Sequence, residues 1–183
     1  MSLGFVRPAR PDDATEITRI QLSTWRTAYR TLLPRTILDG LDGTWMADQW
    51  RAAITDPPTP RHRIMIAIEQ ADEDYVAGFA AAGPADEDAL APEEKPLADD
   101  VVAITDLLVE PRWGRRGHGS RMLAASVDLW RPDGFTTAVA WAYEKDAAMQ
   151  KFLASAGWEP DGVTRALDVD DLLVPQLRLH AAI

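Results

Sequence analysis

Residues 115–119 read Arg-Arg-Gly-His-Gly and directly follow an apolar stretch. Adjacent arginines repel each other and glycine disfavours a helix, so this pattern indicates that the segment binds a negatively charged partner. Glycines let a phosphate approach the backbone N–H groups, and a helix beginning here would add unpaired N–H groups with partial positive charge. Ser120 adds a hydroxyl donor. These residues therefore predict a loop that binds a diphosphate.

Two familiar phosphate motifs do not fit this loop. A nucleoside triphosphate loop has lysine and then serine or threonine after its last glycine, whereas Gly119 is followed by Ser120 and Arg121. A dinucleotide fingerprint needs three glycines at a spacing that Gly114, Gly117 and Gly119 do not provide. From the residues alone, a solvated glycine-rich turn stays open beside a phosphate loop.

Three residues elsewhere are candidates for proton transfer. Asp106 interrupts an apolar run, and burial in a cleft would raise its pKa and make it a usable general base; the alternative is a structural cap or ion pair. Glu144 ends the next strand and could act through a water, or be a surface carboxylate. Tyr29 could donate a proton, stack on a substrate, or belong to the core. Trp25 and Arg26 are further candidates for a pocket wall.

Hydrophobic periodicity and breaker residues predict the elements that position these residues. Strands are predicted over residues 5–10, 64–68, 76–82, 101–109, 136–143, 163–169 and 175–180. Helices are predicted from residue 13 to the break at residue 34, and over residues 44–54, 117–130 and 147–156. Residues 84–100, rich in proline and carboxylates, are predicted to form a solvated, mobile loop. This order indicates an α/β or α+β fold with a binding crevice where a strand ends and a helix begins.

The composition excludes several classes of function. A net charge of −10 argues against a nucleic-acid partner held by overall positive potential. The sequence contains no cysteine, and His62 and His180 lack metal-ligating partners at useful spacing, so we expect no metal and no cysteine nucleophile. No apolar run approaches about 18 residues and no signal pattern opens the chain, so we expect no membrane contact and a cytoplasmic protein.

The segment LLVEPRWGRRGHGSRML, residues 107–123, resembles the acetyl-coenzyme A binding segment of the GCN5-related N-acetyltransferase (GNAT) family. That segment has the pattern Arg or Gln, two residues, Gly, one residue, Gly or Ala. Downstream, AYEKDAAMQKFLASAGWEPDG resembles the strand and helix that follow in the family. Upstream, STWRTAYRTLLP and LDGLDGTWMADQWRAAI resemble the first two helices of a bacterial subgroup. These segments cover more than half of the chain in the family's order.

The resemblance implies the acyl-CoA N-acyltransferase fold, a mixed and mostly antiparallel sheet that splays at its middle and is flanked by helices. One N-acetyltransferase domain is expected over residues 4–183, with residues 1–3 as a cloning remnant. The strand before the loop would pair with the pantetheine arm of the cofactor like an added strand, and the loop would hold its pyrophosphate. The residues implied in coenzyme A binding are Leu107, Leu108, Val109, Arg115, Arg116, Gly117, His118, Gly119, Ser120 and Asp146. His118 is expected to be solvated or to lie at the edge of the phosphates, without a catalytic role.

The resemblance also implies an acyltransferase, in which a primary amine of a small molecule or peptide attacks the thioester of acetyl-CoA directly in a ternary complex. A base removes the ammonium proton, backbone N–H groups stabilise the oxyanion, and an acid protonates the thiolate. Asp106, Glu144 and Tyr29 are the candidate catalytic residues. The acidic balance favours a cationic acceptor, and a homodimer stays open because the family often dimerises.

Four positions depart from the family pattern. Gly114 stands where the first Arg or Gln is usual, Leu153 replaces a frequent tyrosine acid, and Ala103 replaces a frequent strand glutamate. Asp146 stands where the last core helix often opens with asparagine. A non-catalytic protein that binds or senses acyl-CoA is therefore the alternative function, and a generic phosphate-binding domain is the third.

Overall fold

The computed structural model describes residues 4–183, so the expectation for residues 1–3 lies outside the described chain. The strands are β1 (Phe5–Pro8), β2 (Arg63–Gln70), β3 (Asp74–Pro84), β4 (Val101–Val109), β5 (Thr137–Tyr143), β6 (Glu159–Val169) and β7 (Leu172–Ala182). The helices are α1 (Ala14–Ala28), α2 (Arg35–Asp39), α3 (Gly43–Thr55), α4 (His118–Trp130) and α5 (Ala147–Ser155). All the strands form one mixed seven-stranded sheet in the order β1-β2-β3-β4-β5-β7-β6. The mixed sheet flanked by helices agrees with the predicted fold.

The centre of the sheet splays where its one parallel pair separates. β4 and β5 pair only from Val101 with Thr137 to Ile104 with Ala140. Beyond this point β4 continues to pair with β3 as far as Val109, while β5 continues with β7 as far as Tyr143. The edge of residues 105–109 that faces β5 therefore has no strand partner in the described part of the chain, residues 4–183.

A β-bulge lies at the beginning of the splay. Ala81 is opposite Asp106 and Ala82 is opposite Ile104, so Thr105 is the extra residue in β4. A bulge bends its strand and redirects the side chains that follow. The last part of β4 therefore diverges from β5 and opens the crevice that the sequence predicted.

Alternation along β4 divides the core between the two faces of the sheet. Leu107 belongs to the cluster that contains Met122 of α4 and Leu153 of α5. Leu108 belongs to the cluster that contains Ile17 and other residues of α1. Successive side chains of a strand point to opposite faces, so this strand is buried on both sides by helices.

The first helix is shorter than predicted. It ends at Ala28, with Tyr29 as its C-cap at φ −103° and ψ 8°. The N–H groups of Leu32 and Leu33 then donate to the carbonyl oxygen of Tyr29 at 2.9 Å, which closes a turn. The Tyr29 ring packs edge-on against Tyr143, with the ring centroids 5.1 Å apart. The helix therefore ends where Tyr29 packs against the end of β5, several residues before the predicted break at Pro34.

The middle of the acidic segment 84–100 is tethered to the sheet, so the prediction of a merely solvated loop is wrong for this part. The guanidinium of Arg178 is nearly buried, and it pairs with Glu94 at 2.7 Å and with Asp161 at 2.6 Å. The carbonyl oxygen of Ala89 accepts hydrogen bonds from Arg178 Nη1 and Trp141 Nε1, both at 3.1 Å. The segment therefore forms a wall beside the splay.

No helix within residues 4–183 is both long enough and apolar enough to cross a membrane.

Candidate functional site

Two cavities meet at the splay. The first, which we call the inner cavity, has a volume of about 320 Å³ and lies between the diverging parts of β4 and β5. The second, the loop groove, has a volume of about 540 Å³ and runs from β4 to the start of α4. The residues that line both are Tyr29, Leu107, Leu108, Asp146 and Met149. A ligand held in the loop groove can therefore present one end to the inner cavity.

The start of α4 has the features of an anion site. Gly117 caps the helix in the left-handed conformation, at φ +81°, and no capping side chain within residues 4–183 bonds to this end. The first-turn N–H groups, which include those of His118, Gly119 and Ser120, lack intrahelical partners. Arg115 is exposed at φ +62° and lines the loop groove with them. The structure thus brings five of the predicted loop residues to one groove.

Gly119 permits a close approach between two helices at this end. A Cβ atom on Gly119 would lie 3.1 Å from Cζ of Phe152 on α5. A Cβ atom at this distance would require the ring of Phe152 to move by a few tenths of an ångström. Gly119 therefore allows α4 and α5 to pack closely, whereas Gly117 adopts the left-handed conformation of the helix cap.

Two of the residues predicted to contact the cofactor, Arg116 and His118, do not direct their side chains into the loop groove. Arg116 Nη1 donates to Glu69 Oε1 at 2.8 Å, and Arg116 does not line the groove. The His118 side chain is 0% exposed, with Nε2 at 2.6 Å from Glu69 Oε2. The prediction of a solvated or phosphate-edge imidazole is therefore wrong, because the ring is buried behind the loop and only the His118 backbone is left to serve the groove.

Asp106 lies in the wall of the inner cavity, two residues beyond the last parallel pair. Gln21 Nε2 donates to Asp106 Oδ1 over a long 3.5 Å, and Gln21 Oε1 accepts from Trp50 Nε1 at 2.8 Å. The side chain remains partly accessible because it lines a cavity. Its burial among protein atoms nonetheless raises its pKa to about 6. Asp106 is thus ionised at neutral pH and more basic than an ordinary aspartate.

Tyr29 lines both cavities and is 9% exposed. Burial raises the pKa of its phenol above the usual value, and the negative charge of Asp146 raises it further. Asp146 itself caps α5, accepting the N–H of Met149 at 3.0 Å. The phenol therefore stays protonated at neutral pH and is available as a hydrogen-bond donor at the junction of the cavities.

Glu144 lies away from these groups. It is exposed after the end of β5, where its N–H donates to the carbonyl oxygen of Pro175 at 3.0 Å. It does not line the inner cavity. The structure therefore places Glu144 at the surface, which is the alternative given for it from the sequence, and outside the cavity that Asp106 lines.

Two apolar residues line the inner cavity at positions where the family resemblance implied polar side chains. Leu153 is fully buried in the core, and Ala103 is also buried. Neither can exchange a proton. Trp25 also lines the inner cavity, as predicted, whereas Arg26 does not, and its Nε donates to the carbonyl oxygen of Leu38 at 3.5 Å.

The inner cavity has an excess of negative charge. The charged residues that line it are Asp86, Asp88, Asp106, Asp146 and Arg165. The single guanidinium is already engaged: Arg165 Nε donates to Gln176 at 2.7 Å, Nη1 donates to the Asp88 carbonyl oxygen at 2.6 Å, and the group lies 4.1 Å from the centroid of Trp141. Sequence reasoning missed Asp86, Asp88 and Arg165 as cavity residues, since no local pattern places them beside β4.

A family model described as the acetyltransferase (GNAT) family matches residues 19–158. The chain belongs to this acetyltransferase family. A relative named uncharacterized N-acetyltransferase YuaI, from Bacillus subtilis (strain 168), is 26% identical over 144 residues, which are 79% of this chain and 74% of that protein. The GNAT resemblance stated from the sequence is thus confirmed.

Solved structures of other acetyltransferases have the same fold. The ribosomal-protein-alanine N-acetyltransferase from Brucella melitensis has a TM-score of 0.71 and 16% identity, covering 98% of this chain and 99% of that one. YncA from Salmonella typhimurium, solved with its cofactor acetyl-CoA, has a TM-score of 0.69 and 17% identity, covering 99% of this acetyltransferase and 94% of YncA. The predicted acyl-CoA N-acyltransferase fold is confirmed.

Proposed function

We propose that this acetyltransferase transfers the acetyl group of acetyl-CoA to a primary amine by direct attack in a ternary complex. The observation that carries the proposal is the position of Asp106, whose raised-pKa carboxylate lies in the cavity that meets the loop groove at the splay of β4. Asp106, the open edge of β4 and the start of α4 line these two adjoining cavities, which supports the proposed roles of base, thioester site and diphosphate site. The continuous sheet from β1 to β7 supports one domain over residues 4–183.

The loop groove fits the chemistry of coenzyme A. The unpaired edge of Leu107, Leu108 and Val109 offers alternating N–H and C=O groups to an extended amide-containing arm. The N–H groups at the start of α4 offer donors to a diphosphate. The thioester of acetyl-CoA supplies an activated acyl group where the two cavities meet.

Thr24 supplies independent support for a polar ligand in the groove. Its side chain lines the groove, and its buried Oγ1 has no hydrogen-bond partner within residues 4–183. By contrast, Thr18 on the same helix satisfies its hydroxyl by donating to the Ala14 carbonyl oxygen at 2.8 Å. A buried hydroxyl without a partner costs free energy, which a ligand amide or carbonyl would recover once the Thr24 side chain rotates toward the groove.

Asp106 and Tyr29 then divide the proton transfers. Asp106 accepts the proton of the acceptor's ammonium group, which its raised pKa favours. Tyr29, kept protonated by burial and by Asp146, donates toward the departing thiolate and replaces the phenol that Leu153 cannot supply. Backbone N–H groups on the open edge of β4 are available to stabilise the oxyanion.

The charge of the inner cavity favours a cationic acceptor. Four aspartates line it against one guanidinium, so an ammonium group is attracted and an anionic substrate is repelled. A volume of about 320 Å³ suits a compact amine or a single lysine-like or N-terminal group of a peptide. A small molecule and a peptide remain the two acceptor classes.

The proposal is tested in two steps. Coenzyme A at about a hundred times its dissociation constant should stabilise the fold by about 2.7 kcal/mol, a shift in Tm of about 5–10 °C. Release of free thiol from acetyl-CoA is then measured over a panel of amines and peptides. No thermal shift would refute coenzyme A binding. Binding with no turnover would favour an acyl-CoA sensor, the alternative that apolar Leu153 and Ala103 support.

A further inference from the structure

We propose that Glu69 is a positioning residue that holds the diphosphate loop in its binding conformation. The inference rests on the proposed function, because it concerns the loop that would bind coenzyme A. Glu69 lies on β2 and is 1% exposed, remote in sequence from the loop. Nothing in the sequence pattern connects it with coenzyme A.

The carboxylate of Glu69 contacts the loop on both sides of the helix cap. Oε1 accepts a hydrogen bond from Arg116 Nη1 at 2.8 Å, and Oε2 lies 2.6 Å from His118 Nε2. Arg116 and His118 are the two neighbours of Gly117 in the chain. One rigid group in the sheet therefore fixes the orientation of the left-handed residue that directs the first N–H groups of α4 into the groove.

The protonation state of His118 follows from its two neighbours. Arg121 Nη2 lies 3.1 Å from His118 Nδ1, and a guanidinium has donors but no acceptor, so Nδ1 must accept. Nε2 then carries the hydrogen and donates to Glu69. Burial lowers the pKa of the imidazole, which agrees with a neutral ring. Glu69 is thus the acceptor for both loop donors, and a neutral carboxamide could not accept both with equal strength.

The loop needs such a constraint because its backbone is strained and exposed. Arg115 has φ +62° and Gly117 has φ +81°, and both are exposed, as is Arg116. A non-glycine residue in this conformation is costly. Without the two hydrogen bonds to Glu69, the loop would have to become ordered when it binds a diphosphate. The free-energy cost of that ordering would weaken binding.

The test compares ligands that do and do not contain the diphosphate. Glu69→Gln keeps the size of the side chain and removes its charge. We expect the dissociation constants of coenzyme A and ADP to rise by the same factor, about tenfold (about 1.4 kcal/mol), while that of pantetheine is unchanged. In turnover, the KM for acetyl-CoA should rise by that factor while kcat at saturation and the KM for the amine stay constant.

Two further variants keep the result interpretable. Glu73→Gln removes an exposed carboxylate that pairs with Tyr75 on the same hairpin, and it should leave all three ligands unaffected. If Glu69→Gln fails to fold, Arg116→Gln removes the half-exposed partner and should weaken coenzyme A and ADP but not pantetheine.

The outcomes separate this inference from the proposed function. If the unmodified protein binds coenzyme A, and neither the Glu69 nor the Arg116 variant weakens ADP selectively, the positioning role is wrong and the proposed function stands. Equal weakening of pantetheine and ADP would also overturn it, since that indicates a general structural defect. If the unmodified protein binds neither coenzyme A nor ADP, both proposals fail together.

Discussion

Replacing Asp106 by asparagine removes the proposed base at almost constant volume. The amide oxygen of the introduced side chain would still accept from Gln21, so the surroundings of the cavity are preserved. Removing a proton from an ammonium of pKa about 10.4 costs about 9 kcal/mol with an ordinary carboxylate and about 6 kcal/mol with one of pKa about 6. Burial therefore lowers the cost of this step by about 3 kcal/mol.

The pH dependence of kcat/KM for the amine should distinguish the two proteins. In the unmodified enzyme the reactive pair is carboxylate and ammonium, so kcat/KM rises to about pH 6 and is then level up to the pKa of the amine. In Asp106→Asn only the free amine reacts, so kcat/KM should rise tenfold per pH unit without a break near pH 6. At pH 7 the loss should be about 10²- to 10⁴-fold, and it should shrink as the pH rises.

The matched control is Glu144→Gln, because Glu144 is exposed and outside the inner cavity. This variant should keep the level region of the profile and its rate. Thiol release at saturating acetyl-CoA, from pH 5 to 10, measures both variants. A level region that survives in Asp106→Asn, or that disappears in Glu144→Gln, would refute the assignment of the base.

The stability of the fold gives a second, independent check on the same carboxylate. Because the folded pKa of Asp106 is raised above its unfolded value, the folded state binds the proton more tightly, and stability is lost as the pH rises from about 4 through about 6. Asp106→Asn lacks this loss. Between pH 4 and pH 7, the Tm of Asp106→Asn should therefore change more favourably than the Tm of the unmodified protein. Thermal denaturation of both proteins at the two pH values measures this difference.

Four further variants test the acid, the loop and the tethered wall. Tyr29→Phe should lower kcat by about tenfold or more and leave the KM for acetyl-CoA unchanged, since only the donor is lost. Gly117→Glu should abolish the thermal shift with coenzyme A. Because the φ angle of Gly117 is +81°, this variant should also lose stability. Gly117→Ala is its control, since it has the same backbone cost of about 1–2 kcal/mol without the added charge. Arg178→Met should destabilise the fold by about 2–3 kcal/mol in urea, because it leaves the partly exposed Glu94 and Asp161 without their cation.

The strands and the loop were predictable because their signals are local. The apolar run of β4 is recognisable from neighbouring residues, and its predicted bounds agree with the structure. The helix after the glycine loop was predicted from residue 117 and begins at His118. The first helix was predicted too long, since only the packing of Tyr29 against Tyr143 shows where it stops.

The candidate site was predictable only in part. Asp106 was marked by a charge within an apolar strand, whereas Glu144 was marked by its position at the end of the next strand and is exposed at the surface. The acidic segment was visible in composition, yet its role as a cavity wall depends on Arg165 and Arg178 from the distant strands β6 and β7.

By itself the sequence determined the family, the order of strands and helices, and the glycine loop at the start of α4. The family follows from the resemblance of ordered segments of the chain, whereas the element order and the glycine loop follow from backbone preferences and periodicity within short windows. The tertiary structure alone decided which carboxylate gains basicity and what holds the loop. Burial and ion pairing depend on residues far apart in sequence, such as Glu69 and His118, 49 positions apart, or Glu94 and Arg178, 84 positions apart.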